Sequence, residues 1–292
     1  MTESQRHTVD VPGATLSYVV RGNIADATPD RPPLLLGGSP MDGTGFGSLA
    51  DRIPDRVLVL VDPRNVGHSL REDPTAAVTP EQHAEDLHAV IEALGVGPVD
   101  VFASSGAAVN SLFLVAAHSD DVRLLVAHEP PMAALLPDGA AIGQACDDLV
   151  DVYDREGMGP AMARFIGLVM HRGTWTGDEP APDPAMFGLP TEDDGSRDDG
   201  LMANMRGGGC TRVPDLDAIG AAPTRVVLGV GEESGGPEDG EIAGRAAHAV
   251  AARLGQEPVV FPGGHNGFLG GEFGQTGKPD EFAERLREVL AG

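Results

Sequence analysis

The stretch VDVFASSGAAVNSLFLVAAH, residues 99–118, opens as a β-branched and aromatic run and then breaks into tiny residues around two adjacent serines. Its second half, from Gly106, is apolar at helical spacing, so the reading is a buried strand, a tight turn and a helix within twenty positions. A nucleophile held on such a turn needs small residues two before and two after it, because the backbones close on one another there. Ser104 would set Phe102 and Gly106 at those positions, and Phe is too large. Ser105 sets Ala103 and Ala107 there, so Ser105 is the candidate, standing just before a helix whose N-terminal dipole favours negative charge.

The same rhythm recurs along the chain. Short Val/Leu-rich runs at residues 14–20, 32–38, 56–62, 122–129, 224–231 and 258–264 alternate with helical patterns. Runs apolar on both faces are the mark of a mostly parallel sheet covered by helices on either side. One connecting helix is clear in TPEQHAEDLHAVIEALG, residues 79–95, where Thr79 can cap, Pro80 suits the first turn and Gly95 ends the pattern. His83 and His88 within it are five apart, not the four of a helical metal pair, and no metal site is expected.

Between about residues 131 and 210 the strand rhythm stops and helical spacing takes over, as in GPAMARFIGLVMH, residues 159–171. This segment reads as an inserted helical lid, with residues 1–130 and 211–292 forming the core. Within it, the Pro-, Gly- and acid-rich residues 178–200 read as a mobile loop. Apolar lid residues, Met132, Phe165, Trp175, Phe187 and Met205 among them, are candidates for substrate contact, Met132, Trp175 and Phe187 foremost. Methionine-rich surfaces adapt to apolar ligands of varied shape.

Three further segments carry chemistry. PVVFPGGHNGFLG, residues 258–270, places His265 in a Gly-rich loop directly after the last strand candidate. LLLGGSPMDGTGF, residues 34–46, follows an early strand with a loop whose Ser39 N–H can face a carbonyl oxygen, and DPRNVGHS, residues 62–69, has the same strand-then-turn form.

Taken together these segments resemble the α/β-hydrolase superfamily, with matches spanning residues 13–290. Gly37-Gly38-Ser39-Pro40 resembles the family's His-Gly-x-Pro oxyanion segment, with Gly37 in place of His. The turn at residues 62–69 resembles Asp-x-Arg-Gly-x-Gly-x-Ser, with Asn65 for the first Gly. ASSGA resembles the nucleophile elbow with alanines for both outer glycines, and FPGGHNGF resembles the histidine loop.

The resemblance implies a serine hydrolase acting on an ester, lactone, thioester or related acyl bond of a small apolar molecule, with no cofactor. Ser105 would attack, His265 would move the proton, and the N–H groups of Ser39 and Gly106 would hold the oxyanion. The acid departs from the pattern. The family carries Gly-x-x-Asp after the strand at 224–231, and here Gly231-Glu232-Glu233-Ser234 sets Ser234 at the aspartate's place. Glu233, one residue earlier, is the slightly preferred candidate, and Glu129 at the end of the preceding strand is the other. A serine nucleophile disfavours dehalogenase and epoxide hydrolase chemistry, which resemble one another in using Asp.

A non-hydrolytic binding or cyclising protein with a degenerate triad stays open as the alternative. A nucleotide loop in GVGEESGG, residues 229–236, is disfavoured because two glutamates would face the phosphates. With Lys+Arg 20 against Asp+Glu 45, a formal charge of −25 repels nucleic acid and anionic lipid, so neither is an expected partner. A homodimer stays open. MTESQRHTVDVPG has neither the basic flank nor the apolar run of a secretory signal, and a cytoplasmic location is expected. Cys146 and Cys210, far apart and without metal-ligand spacing, read as two ordinary reduced thiols.

Overall fold

A computed structural model describes residues 4–292. The first half runs β1 (Ser4–Val11), β2 (Ala14–Arg21), β3 (Leu34–Gly37), α1 (Gly47–Asp51), β4 (Leu58–Asp62), β5 (Leu70–Arg71), α2 (Pro80–Leu94), β6 (Val99–Ser104), α3 (Gly106–Ala117) and β7 (Val122–His128). Then come α4 (Gly139–Glu156), α5 (Met158–Val169), α6 (Gly200–Arg206), α7 (Leu216–Ala221), β8 (Arg225–Gly231), α8 (Ile242–Arg253), β9 (Val259–Phe261) and α9 (Pro279–Ala291).

The strands form one sheet in the order β1-β2-β4-β3-β6-β7-β8-β9, with β5 paired to β2. From β4 through β9 the pairing is parallel, while β1, β2 and β5 pair antiparallel at one end. All the expected strands are present. The hairpin strand β1 and the two-residue β5 are additional; β1 has largely exposed polar residues that lack the Val/Leu signature by which the others are recognised, and β5 is too short to carry one.

Alternation along each strand sorts side chains to two faces. Leu35, Val101 and Ala103 join α2, α3, α7 and α8 in one core, whereas Leu34, Leu36 and Phe102 join α1 and α9 in the other. α2 begins and ends where its sequence predicts: the Thr79 side chain accepts from the Gln82 N–H, and Gly95 adopts φ 66°.

Residues 131–210 contribute no strand to the sheet; they hold α4, α5 and α6, and residues 178–199 are irregular apart from a 3-10 turn at Pro184–Phe187. The start of this insertion is anchored by a buried ion pair. Asp138, just before α4, accepts from Arg245 of α8 at 2.7 and 3.0 Å. Among the described residues no helix is long and apolar enough to cross a membrane.

Candidate active site

The parallel register decides what meets at the sheet's carboxyl edge. Gly37 aligns with Ala103, Ala103 with Ala127, and His128 with Gly229, so the loops after β3, β6, β7 and β8 leave side by side. β9 then brings its own loop against that of β8. Ser39, Ser105, Glu129 and His265 all lie on those loops.

Ser105 is held at φ 60°, ψ −131°, a conformation that costs a non-glycine residue about 1–3 kcal/mol and persists only where the surroundings fix it. They do. Its N–H donates to the His128 carbonyl at 3.0 Å, and Ala103 and Ala107 are buried on either side. Gly106 is required by close approach: a Cβ there would stand 2.8 Å from the Ser39 carbonyl oxygen. Ser104, by contrast, turns inward. It is buried, with its Oγ 3.2 Å from His128 Nδ1.

His265 Nδ1 donates to Glu129 Oε2 at 2.6 Å. The other carboxylate oxygen accepts from the Gly231 N–H at 2.7 Å, so both are engaged and Glu129 is fully buried. Glu129 sits at φ 49° directly after β7, which aims its side chain across the end of β8 toward the β9 loop. Burial pushes its pKa up, but the His265 hydrogen bond and the two neighbouring imidazoles outweigh that and hold it at about 2. Burial pushes His265 down, and the Glu129 hydrogen bond and charge more than reverse it, so its pKa is raised. With an ionised acceptor, the Nδ1–H tautomer follows and Nε2 is left for other chemistry.

The expectation for Glu233 is corrected by its contacts. Its carboxylate pairs with Lys278 at 2.8 Å and its side chain is 59% exposed, away from His265. What its residue supplies is backbone: the Glu233 N–H donates to the Gly263 carbonyl at 2.9 Å, binding this turn to the histidine loop. The two backbones meet closely, because a Cβ on Gly231 would stand 2.7 Å from the carbonyl carbon of Gly264. Ser234, at the position where the resemblance sets an aspartate, is buried.

The candidate residues open on one cavity of about 780 Å³ lined by Ser39, Ser105, Gly106 and His265 from the core and by Ile142, Phe165, Val169, Leu201 and Met205 from the insertion. Met132, Trp175 and Phe187 are not among its walls. Met132 is buried in the α2/α3 core because it follows β7 too closely to leave the sheet. Trp175 packs beside α4, and its backbone N–H donates to Asp138 at 2.7 Å. Phe187 lies exposed in the 3-10 turn. Among the described residues lining the cavity none is Lys or Arg, whereas Glu233 and Glu241 reach it, Glu241 with a pKa raised by burial and then by the Glu129 charge.

Five further residues shape the site through contacts that motif reading does not show. His83 Nε2 donates to Asn204 Oδ1 at 2.8 Å, and Asn204 Nδ2 donates to Ser39 Oγ at 3.0 Å, so a helix of the core and α6 of the insertion both hold the Ser39 loop. Asp62 fixes the other end of that loop by accepting from the Gly43 N–H at 3.0 Å. His128, ringed by Phe102, Phe261, Phe268 and Phe282, has its pKa lowered to about 4 by burial and stays neutral beside His265. Asn65, at φ 61° in the 62–69 turn, donates to the Asp198 carbonyl at 2.6 Å and so meets the insertion as well. Asn204→Ala should lower kcat by less than the roughly 10²–10³ that deletion of an oxyanion donor costs, with KM little changed. A change confined to KM would assign Asn204 to substrate contact instead.

No family model matches the chain. An uncharacterized hydrolase of Bacillus subtilis (strain 168), YraK, is 25% identical over 284 residues, covering 97% of this chain and 95% of that protein. A thermophilic esterase from Thermogutta terrifontis, solved with malate bound, superposes with a TM-score of 0.67 at 18% identity over 98% of both chains. An alpha/beta hydrolase from Sphaerobacter thermophilus DSM 20745 gives 0.63 at 22% identity, covering 97% of this chain and 100% of that one. With the strand order and the sharp turn at Ser105 in agreement, the chain has the α/β-hydrolase fold and is similar along nearly its whole length to a hydrolase.

Proposed function

We propose that the protein is a serine hydrolase that cleaves an ester, lactone or related acyl bond of a small, neutral, apolar molecule through an acyl-enzyme. The observation that carries this reading is the 2.6 Å bond to a buried, ionised Glu129 from Nδ1 of His265, which lines the cavity onto which Ser105 opens. Such a pair orients the imidazole and stabilises the imidazolium formed when His265 Nε2 takes the Ser105 proton. The Ser105 oxygen adds to the carbonyl carbon, and the N–H groups of Ser39 and Gly106 hold the resulting oxyanion, each worth about 3 kcal/mol. Collapse of that adduct expels the alcohol, protonated by His265, and water then releases the acid by the same steps in reverse roles.

Charge supports the choice of a neutral substrate. Among the described residues no Lys or Arg lines the cavity to hold a carboxylate or phosphate on an acyl donor, and the two carboxylates that reach it, Glu233 and Glu241, are paired with Lys278 and Arg172. Labelling with a fluorophosphonate followed by turnover of neutral esters graded in acyl length tests the reading. An unlabelled serine with no turnover would leave ligand binding as the function of the fold.

The insertion is proposed to act as a lid that sets substrate range. Phe165→Ala, which enlarges the cavity from the α5 side, should shift preference toward longer or bulkier acyl groups, while Phe187→Ala leaves the rate ratio across the ester series unchanged. Equal ratios in both variants would remove the lid's role in selection.

A further inference from the structure

The two cysteines, 64 positions apart, lie with their sulfurs 2.7 Å apart. Cys146 is on α4 and Cys210 follows α6, so the pair joins the first helix of the insertion to its last segment. Both are buried, yet both contribute to the wall of the 780 Å³ cavity, which gives a small solute a path to them. The Ser105, His265 and Glu129 chemistry uses neither thiol.

We propose that Cys146 and Cys210 are a reversible dithiol–disulfide pair, oxidised by hydrogen peroxide entering through the cavity, that fastens the insertion closed on itself. The sulfurs need only a short approach to reach a bond of about 2.05 Å. The Cys146 thiol hydrogen bond pulls the Cys210 pKa down against its burial, and the same contact raises that of Cys146, which makes Cys210 the first nucleophile. Its thiolate sulfur attacks one peroxide oxygen, the O–O bond breaks, and the leaving hydroxide takes a proton to become water. Cys146 sulfur then attacks the Cys210 sulfenic sulfur, the S–O bond breaks, and the departing hydroxide leaves as water with the Cys146 proton. Two thiols and one peroxide give one disulfide and two waters.

The bond would close a long loop that holds most of the insertion, which restricts the unfolded chain most. Peptide mass spectrometry of the wild-type chain after one equivalent of hydrogen peroxide, with residual thiols alkylated under denaturing conditions, decides the proposal without reference to turnover. The expected result is a single cross-linked species joining the Cys146 and Cys210 peptides, both thiols lost together, full reversal by a phosphine reductant, and a Tm roughly 5–10 °C higher in the oxidised form. Cys146→Ala and Cys210→Ala should each give no cross-linked species and no peroxide-dependent rise in Tm. Two alkylated cysteines after peroxide, a sulfinic acid at Cys210 beside a free Cys146, or a disulfide between chains would each overturn it.

Discussion

Ester turnover in Ser105→Ala is expected to fall by as much as about 10⁶-fold, the loss seen when an acyl-transfer nucleophile is removed while the remaining site stays in place. The neighbouring substitution separates chemistry from packing. Ser104 Oγ lies against the buried His128 Nδ1, and His128 Nε2 already lacks a partner among the phenylalanine rings. Ser104→Ala should therefore lower stability by about 1–3 kcal/mol, the cost of a buried polar group left unpaired, and leave kcat/KM within a few-fold of wild type. Thermal unfolding and steady-state kinetics on the two variants measure both quantities. Comparable kinetic losses in two folded variants would overturn the assignment of Ser105.

The contrast between these serines was legible in the sequence because it is local. Whether Phe102 or Ala103 precedes by two positions needs no tertiary knowledge, and the strand-turn-helix reading needs only periodicity. The Asn65 turn is of the same kind, since a backbone at positive φ favours Gly or Asn wherever it occurs. The cavity walls are not local. Trp175 and Phe187 have the right chemistry for a lid interior, but which face of an irregular segment turns inward depends on anchors such as Asp138–Arg245, which link positions more than a hundred residues apart. His83 and Asn204 likewise meet only because α2 and α6 converge on the Ser39 loop, and the approach of Cys146 to Cys210 arises in the same way.

The carboxylate partner of His265 is where chain position and strand order point to different residues. Glu233 adjoins the position where the resemblance sets an aspartate, but one residue's shift turns its side chain to solvent and Lys278. Glu129 reaches His265 because β7 and β8 are adjacent in the sheet, a fact of strand order that chain position does not carry. Glu129→Gln keeps the shape and can still accept from the Gly231 N–H through its amide oxygen, so the fold should survive. The imidazole loses its charged partner, and kcat should fall by as much as about 10⁴-fold with KM little changed. Glu233→Gln should stay within a few-fold of wild type.

The pH profile gives an independent reading of the same bond. In the proposed mechanism His265 is neutral when it accepts the serine proton, and its pKa is raised above the ordinary 6.5. In wild type kcat/KM should therefore climb with pH through a midpoint above 6.5, and in Glu129→Gln, where burial acts without the opposing carboxylate, that midpoint should move down. Ser234 offers the sharpest arm, since it is buried at the aspartate's place and its hydroxyl lies beside Gly264 of the histidine loop. Adding Ser234→Asp to Glu129→Gln should restore part of the lost rate and move the midpoint back up, because a carboxylate from β8 would then stand where one from β7 stood. Rescue with no return of the midpoint would mean that the new side chain repairs packing and not the imidazole's partner, and full activity in Glu129→Gln alone would leave Ser105 and His265 working as a dyad.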